Sequence, residues 1–172
     1  MEENKEEILN TILGLEEKKL KIKNAIKSSG SILIFIGFLT LLNIPSIAYF
    51  GFLFPIGLYA PLFFGDPLAA IITDQYYYWL VFISIHVLIW VFFTYLSKTA
   101  NNNSKIAFYV AFGIYAIDTI LTAYYQEWFF TIFHLFFLYQ IYSGYSRIDE
   151  LIKLEEKISK IRSTNHDETS VI

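Results

Sequence analysis

Apolar residues gather into four runs, each close to the roughly 20 residues that a helix needs to cross a hydrocarbon core about 30 Å thick. The runs cover about residues 30–50, 77–96, 106–125 and 128–145, and each predicts a membrane span. Only Gln126 and Glu127 separate the last two, so these two helices form an antiparallel hairpin. The predicted fold class is all-α integral membrane: a four-helix transmembrane bundle with an amphipathic helix at each cytoplasmic end.

The first run is the least uniform. Ile32 to Leu42 is strongly apolar, but Asn43 and Pro45 follow, and a helix passes such a proline only with a kink or a break. Residues 51–76 then carry Pro55, Pro61 and Pro67 with Gly51, Gly57 and Gly65 in an otherwise apolar stretch, which excludes one straight helix. The expectation for 51–76 is an outer loop with a short interfacial helix. A sharper alternative makes residues 46–76 re-entrant, with freed backbone groups lining a cavity. The run Asp74-Gln75-Tyr76-Tyr77-Tyr78-Trp79 leads into the second span as an aromatic belt would.

Both ends of the chain repeat apolar residues at spacings of three and four. Ile8, Ile12, Leu15, Ile22 and Ile26 do so over residues 1–28, with Lys19 interrupting, and Leu151, Leu154, Ile158 and Ile161 do so over 147–164. Glu and Lys are mixed on both polar faces, which favours pairing of the two helices, within one chain or between subunits, over adsorption to an anionic leaflet. Residues 165–172 read as a disordered tail in which His166 is solvated.

Charge then fixes an orientation. All 13 Lys and Arg fall before the first span, in the loop between the second and third, or after the fourth; the other two loops hold none. Retention of these cations in the cytoplasm predicts both termini inside, with Trp79 and Trp128 at the outer interface. The 16 acidic residues nearly balance them, and the net charge of −3 argues against a nucleic-acid partner. The absence of Cys excludes disulfides, thiolate metal sites and Cys nucleophiles. The first thirty residues, rich in Glu and Lys, do not resemble a signal peptide.

Polar groups inside spans are costly unless partnered, so they are the candidate functional residues. Asp118 lies about eight residues before the centre of the hairpin and His134 about eight after it, which at 1.5 Å per residue puts both roughly 11–13 Å below the outer interface. His86 reaches a similar depth in the second span, and Asn43 joins the layer if the first helix continues past Pro45. Asp66, Asp74 and Glu127 make the outer mouth acidic. Three readings compete for the layer Asn43, His86, Asp118 and His134: a hydrogen-bonded cluster that fixes helix register, a proton- or ion-handling site, and a metal site of two His and one carboxylate, as in a metal-dependent intramembrane enzyme. The last is disfavoured because no two ligands have the close spacing of a metal motif.

No hydrolase, phosphate-loop or zinc-protease signature is present, and no cofactor or catalytic residue is expected. Ser84 and His86, two apart on a helix, point to different faces and do not form a dyad. Ala107 and Ala111 give the third span a small surface that another helix can approach.

Leu42-Asn43, Phe54-Pro55-Ile56-Gly57-Leu58, Tyr115-Ala116-Ile117-Asp118, Glu127-Trp128, Phe133-His134 and Tyr142-Ser143-Gly144-Tyr145, in that order, resemble a group of small, uncharacterised bacterial four-span membrane proteins. The resemblance covers about residues 30–148. That group more commonly has Asp where Glu127 stands, and the proline-rich stretch after Pro45 departs from its pattern. The resemblance implies a bacterial inner (plasma) membrane protein and gives weight to Asn43, Asp118, Glu127 and His134 without supplying a reaction. The expected function is a non-enzymatic, homo-oligomeric, channel-like or sensor component in the lipid bilayer. The alternative is a structural subunit that anchors a larger assembly through a protein partner in the cytoplasm.

Overall fold

A computed structural model describes residues 2–50 and 75–169, all but the turns of them helical. Four helices follow in chain order: α1 (Glu2–Phe50), α2 (Gln75–Asn101), α3 (Lys105–Tyr124) and α4 (Trp128–Thr169). Three are long and apolar enough to cross a membrane: α1 through Leu9–Pro45, α2 through Leu80–Asn101, and the whole of α3. In α4 the polar His134, Gln140, Tyr139, Tyr142 and Tyr145 dilute the apolar run. Residues 51–74, where the loop or re-entrant segment was expected, lie outside the described residues, as do Asp66 and Asp74.

Helix α1 runs unbroken through Pro45. Pro45 has no N–H to give to the Leu41 carbonyl, yet the helix resumes beyond it, so the break that the sequence left open does not occur. At 49 residues α1 is about 74 Å long, more than twice the hydrocarbon thickness. The same holds in kind for α4, at 42 residues. The amphipathic ends are thus the N-terminal half of α1 and the C-terminal half of α4, the two longest helices. Residues 165–169, expected in a disordered tail, continue α4 to Thr169.

These terminal halves pair within one chain. Ile22 and Ile26 of α1 and Leu151, Leu154 and Ile158 of α4 are buried in one cluster. Around them Lys18 meets Glu150 at 3.0 Å, Lys19 meets Glu155 at 3.0 Å, and Arg162 meets Glu16 at 2.9 Å. Lys19 breaks the apolar repeat of α1 because it stands beside the seam, where Glu155 receives it and also Lys23 at 3.5 Å. Further out, Gly144 lets α4 come close to α1 and α3: a β-carbon there would stand 2.5 Å from Phe108 and 2.7 Å from Ser29.

Helix α3 begins at a Ser104 cap that accepts from the Ala107 N–H, and its first residue, Lys105, pairs with Asp149 and stands 5.6 Å over the Tyr145 ring. The turn to α4 closes tightly, with Gln126 in the left-handed region at φ 61° and its N–H bonded to the Ala123 carbonyl at 3.0 Å. The resulting hairpin agrees with the two-residue break between the apolar runs. Ala107 and Ala111, however, are buried inside this chain, so the small surface they form is already occupied.

Two outcomes follow from this packing. Gly144→Ala forces a methyl against Phe108 and the Ser29 β-carbon and lowers stability by about 1–3 kcal/mol, read as thermal unfolding in detergent. The side-chain bond from Lys19, aided by the charge of Lys23, holds the Glu155 carboxyl below the usual range against the opposing effect of its partial burial. A depressed carboxylate stabilises above its unfolded pKa and loses that contribution as pH falls through the folded value. Amide exchange along Leu151–Ile158, corrected for intrinsic rate, therefore accelerates as pH drops below about 4, by the equivalent of less than about 1 kcal/mol for this exposed pair, and Glu155→Gln removes that pH dependence.

Candidate functional site

The buried polar side chains of the described residues include Asn43, His86, Asp118 and His134, each at most 1% exposed. Asp118 and His134 face each other across the α3–α4 hairpin, His134 Nε2 standing 2.9 Å from Asp118 Oδ2. Their equal distance from the turn at Gln126 produces this meeting. On its other side His134 Nδ1 stands 2.9 Å from the Phe130 carbonyl, one turn back. A carbonyl oxygen only accepts, so Nδ1 carries a proton and donates it. One further proton lies between Nε2 and Oδ2. Whether it is written as imidazolium and carboxylate or as neutral ring and carboxylic acid, the pair has no net charge. Two polar groups can therefore sit in an apolar interior without the cost of an isolated ion.

Tyr115, wholly buried one turn before Asp118, stacks on the His134 ring at 4.9 Å with planes only 7° apart. The stack and the Phe130 bond together leave the imidazole one orientation. In the sequence Tyr115 was legible only through its Tyr-x-x-Asp spacing. Thr119 and Thr122 bond back to the Tyr115 and Asp118 carbonyls at 2.7 and 2.9 Å, which keeps their hydroxyls within α3.

His86 repeats half of this arrangement. Its Nδ1 donates to the Phe82 carbonyl at 2.8 Å, and the Phe82 ring lies 4.1 Å away. Its Nε2 is buried and has no hydrogen-bond partner among the described residues, and neither atom of the Asn43 amide has one. Each such buried group costs about 1–3 kcal/mol unless something satisfies it. Ser84 bonds to the Leu80 carbonyl at 2.7 Å and is exposed, on a different face from His86 as its spacing predicts.

Helix register sets the heights. Gly30 of α1 abuts Asn101 of α2, and Gly37 abuts Trp90 and Phe93, so the antiparallel pair continues to His86 level with residues 43–44. Between α1 and α4, Ser29 meets Gly144 and Phe35 meets Phe137 at 6.0 Å, which puts His134 level with residues 38–39. The four residues thus occupy two tiers, Asn43 with His86 a little over one turn, about 7 Å, nearer the Gln126 end of the bundle than Asp118 with His134. Glu127 is exposed in the outer turn, away from both tiers.

Among the described residues, no three of His, Asp and Glu converge as metal ligands. Sequence reasoning missed a polar stripe on α2: Thr94 Oγ1, Ser97 Oγ and Asn101 Oδ1 are buried without hydrogen-bond partners among the described residues, within about 80° of His86 around the helix. Their weak polarity within a hydrophobic run gave no signal.

The pair can be tested as a unit. Asp118→Ala leaves His134 Nε2 buried and unpaired and costs about 3–5 kcal/mol, whereas Asp118→Leu with His134→Leu costs clearly less than the sum of the single Leu changes. Thermal unfolding of the four variants in detergent measures this, and additive losses would mean that the two groups do not share a bond. No protein-family model, no curated protein and no solved structure matches the chain.

Proposed function

We propose that the chain is a non-enzymatic four-span protein of a bacterial plasma membrane, a channel-like or sensor component in which the Asp118–His134 pair holds an exchangeable proton. The fourth span is supported by the outer half of α4. That half lies antiparallel to α3 and shows Phe129, Ile132, Leu135 and Phe136 on its exterior, each more than half exposed. The distribution of Lys and Arg supports termini on the cytoplasmic side. A homo-oligomer belongs to this reading. Leu9, Leu13 and Leu20 are each more than half exposed at helical spacing on α1, a face that a second copy can cover.

The observation that carries the reading is the bond between His134 Nε2 and Asp118 Oδ2, because a buried carboxylate and imidazole sharing one proton are the parts of an intramembrane proton relay. The test is proton flux in vesicles reconstituted with the full chain. Wild-type protein is expected to conduct, and Asp118→Asn to reduce the flux roughly tenfold or more. No flux at either sign of voltage would sink the proposal.

A second reading is favoured by a different feature of the same pair. Both His134 nitrogens are engaged, by Phe130 and by Asp118, as in a cluster that only fixes helix packing. The chain would then anchor a larger assembly. It would show no flux, and Asp118→Asn would lower thermal stability while leaving a cytoplasmic partner bound.

A further inference from the structure

The two membrane histidines are built alike up to one atom. Each follows a Phe by four residues, each donates its Nδ1 proton to that Phe carbonyl, and each is wholly buried. This fixes both rings as donors at Nδ1, with Nε2 directed away from their own backbone. At His134 that atom meets Asp118. At His86 it meets no hydrogen-bonding group among the described residues, and Asn43, level with it on the packed helix α1, has an amide in the same condition.

The unmet chemistry of the two residues is complementary to one molecule. His86 Nε2 offers a lone pair, Asn43 Oδ1 accepts, and Asn43 Nδ2 donates. A ligand that donates twice and accepts once satisfies all three, and a buried water in proteins typically makes about three such bonds. Thr40, Thr119, Thr122 and Thr131 bond to their own i−4 carbonyls and need no such guest.

We propose that Asn43 and His86 bind an ordered water in the outer half of the membrane, and that through it His86 exchanges the proton held by Asp118 and His134 one turn deeper. The relay half of this inference rests on the proton-handling reading above. In the transfer, the N–H or O–H bond within the Asp118–His134 pair breaks and an N–H bond forms at His86 Nε2. The pair is left with one negative charge, His86 becomes imidazolium, and the layer as a whole keeps its charge. The buried titratable groups of the deeper tier are Asp118 and Tyr115 from α3 and His134 from α4. The buried described residues of α1 at this height, Thr40 and Asn43, do not titrate, and α2 adds no second titratable group there. Asn43 is a positioning residue: it holds the water and carries no proton of the relay.

Magic-angle-spinning nitrogen NMR of the full chain in lipid vesicles, labelled at histidine, tests the water site without requiring activity. Wild-type protein is expected to show His86 neutral, with its proton on Nδ1, and magnetisation passing from water protons to Nε2. Asn43→Leu should weaken that transfer severalfold. Absence of water transfer to His86 in the wild type, or full transfer in Asn43→Leu, overturns the site. Proton flux tests the relay through His86→Gln and His86→Phe, both checked for wild-type elution in detergent so that a misfolded variant is not scored. The expected loss is roughly tenfold or more. If Asp118→Asn stops the flux while the folded His86 variants keep it, the relay is wrong and the proton-handling reading stands. If wild-type protein conducts nothing, the relay falls with that reading, and the spectra alone decide the water site.

Discussion

The antiparallel seam between α1 and α4 sets the height of almost everything else in the molecule. It runs from the Lys and Glu pairs at the inner ends, through the Ile and Leu cluster, to the close approach of Gly144 and Ser29. Each of these constrains the same register by a different force. The ion pairs are exposed and individually weak, the cluster is non-directional, and only the Gly144 contact is intolerant of a slip. A seam so specified fixes where Thr40 and Asn43 fall relative to His134, and hence which polar groups share a depth.

Within that frame the hairpin of α3 and α4 does a separate job. Its short turn, with Gln126 in the left-handed region, ties the two helices so near their ends that sequence distance from the turn becomes height. Asp118 and His134 consequently meet. Their meeting is tolerable because the pair shares a proton and stays neutral, and because Phe130 and Tyr115 leave the ring nothing else to do. Take the shared proton away and the pair is left with one buried negative charge, a cost that helix packing alone would not offset.

How far the sequence revealed this depends on what each feature demands. Three of the four expected spans, the hairpin and the Asp118–His134 match need only counting along the chain, and counting is reliable where helices are straight and turns are short. The pairing of the end helices was legible as matching periodicity, though not that it forms within one chain. Three things needed rotation or context. Pro45 was read as a possible break, but whether a helix passes a proline depends on packing around the freed carbonyl. The one-turn offset between the tiers depends on interhelical register, which the glycines at 30, 37 and 144 set and hydropathy does not encode. The stripe of Thr94, Ser97 and Asn101 is invisible to any scale that averages over a window.

The comparison of the two histidines shows why burial alone is a poor guide to function in such a bundle. His86 and His134 have the same exposure, the same Phe at i−4 and the same donated proton. What distinguishes them is the second nitrogen. At His134 a carboxylate closes the network, and a closed network resists change, since moving any member breaks a bond in a medium that offers no substitute. At His86 no described residue bonds to Nε2, and Asn43, at its height on α1, can hold a guest but cannot take its proton. If the pair handles a proton as proposed, this asymmetry between the two histidines is what gives that proton somewhere to go.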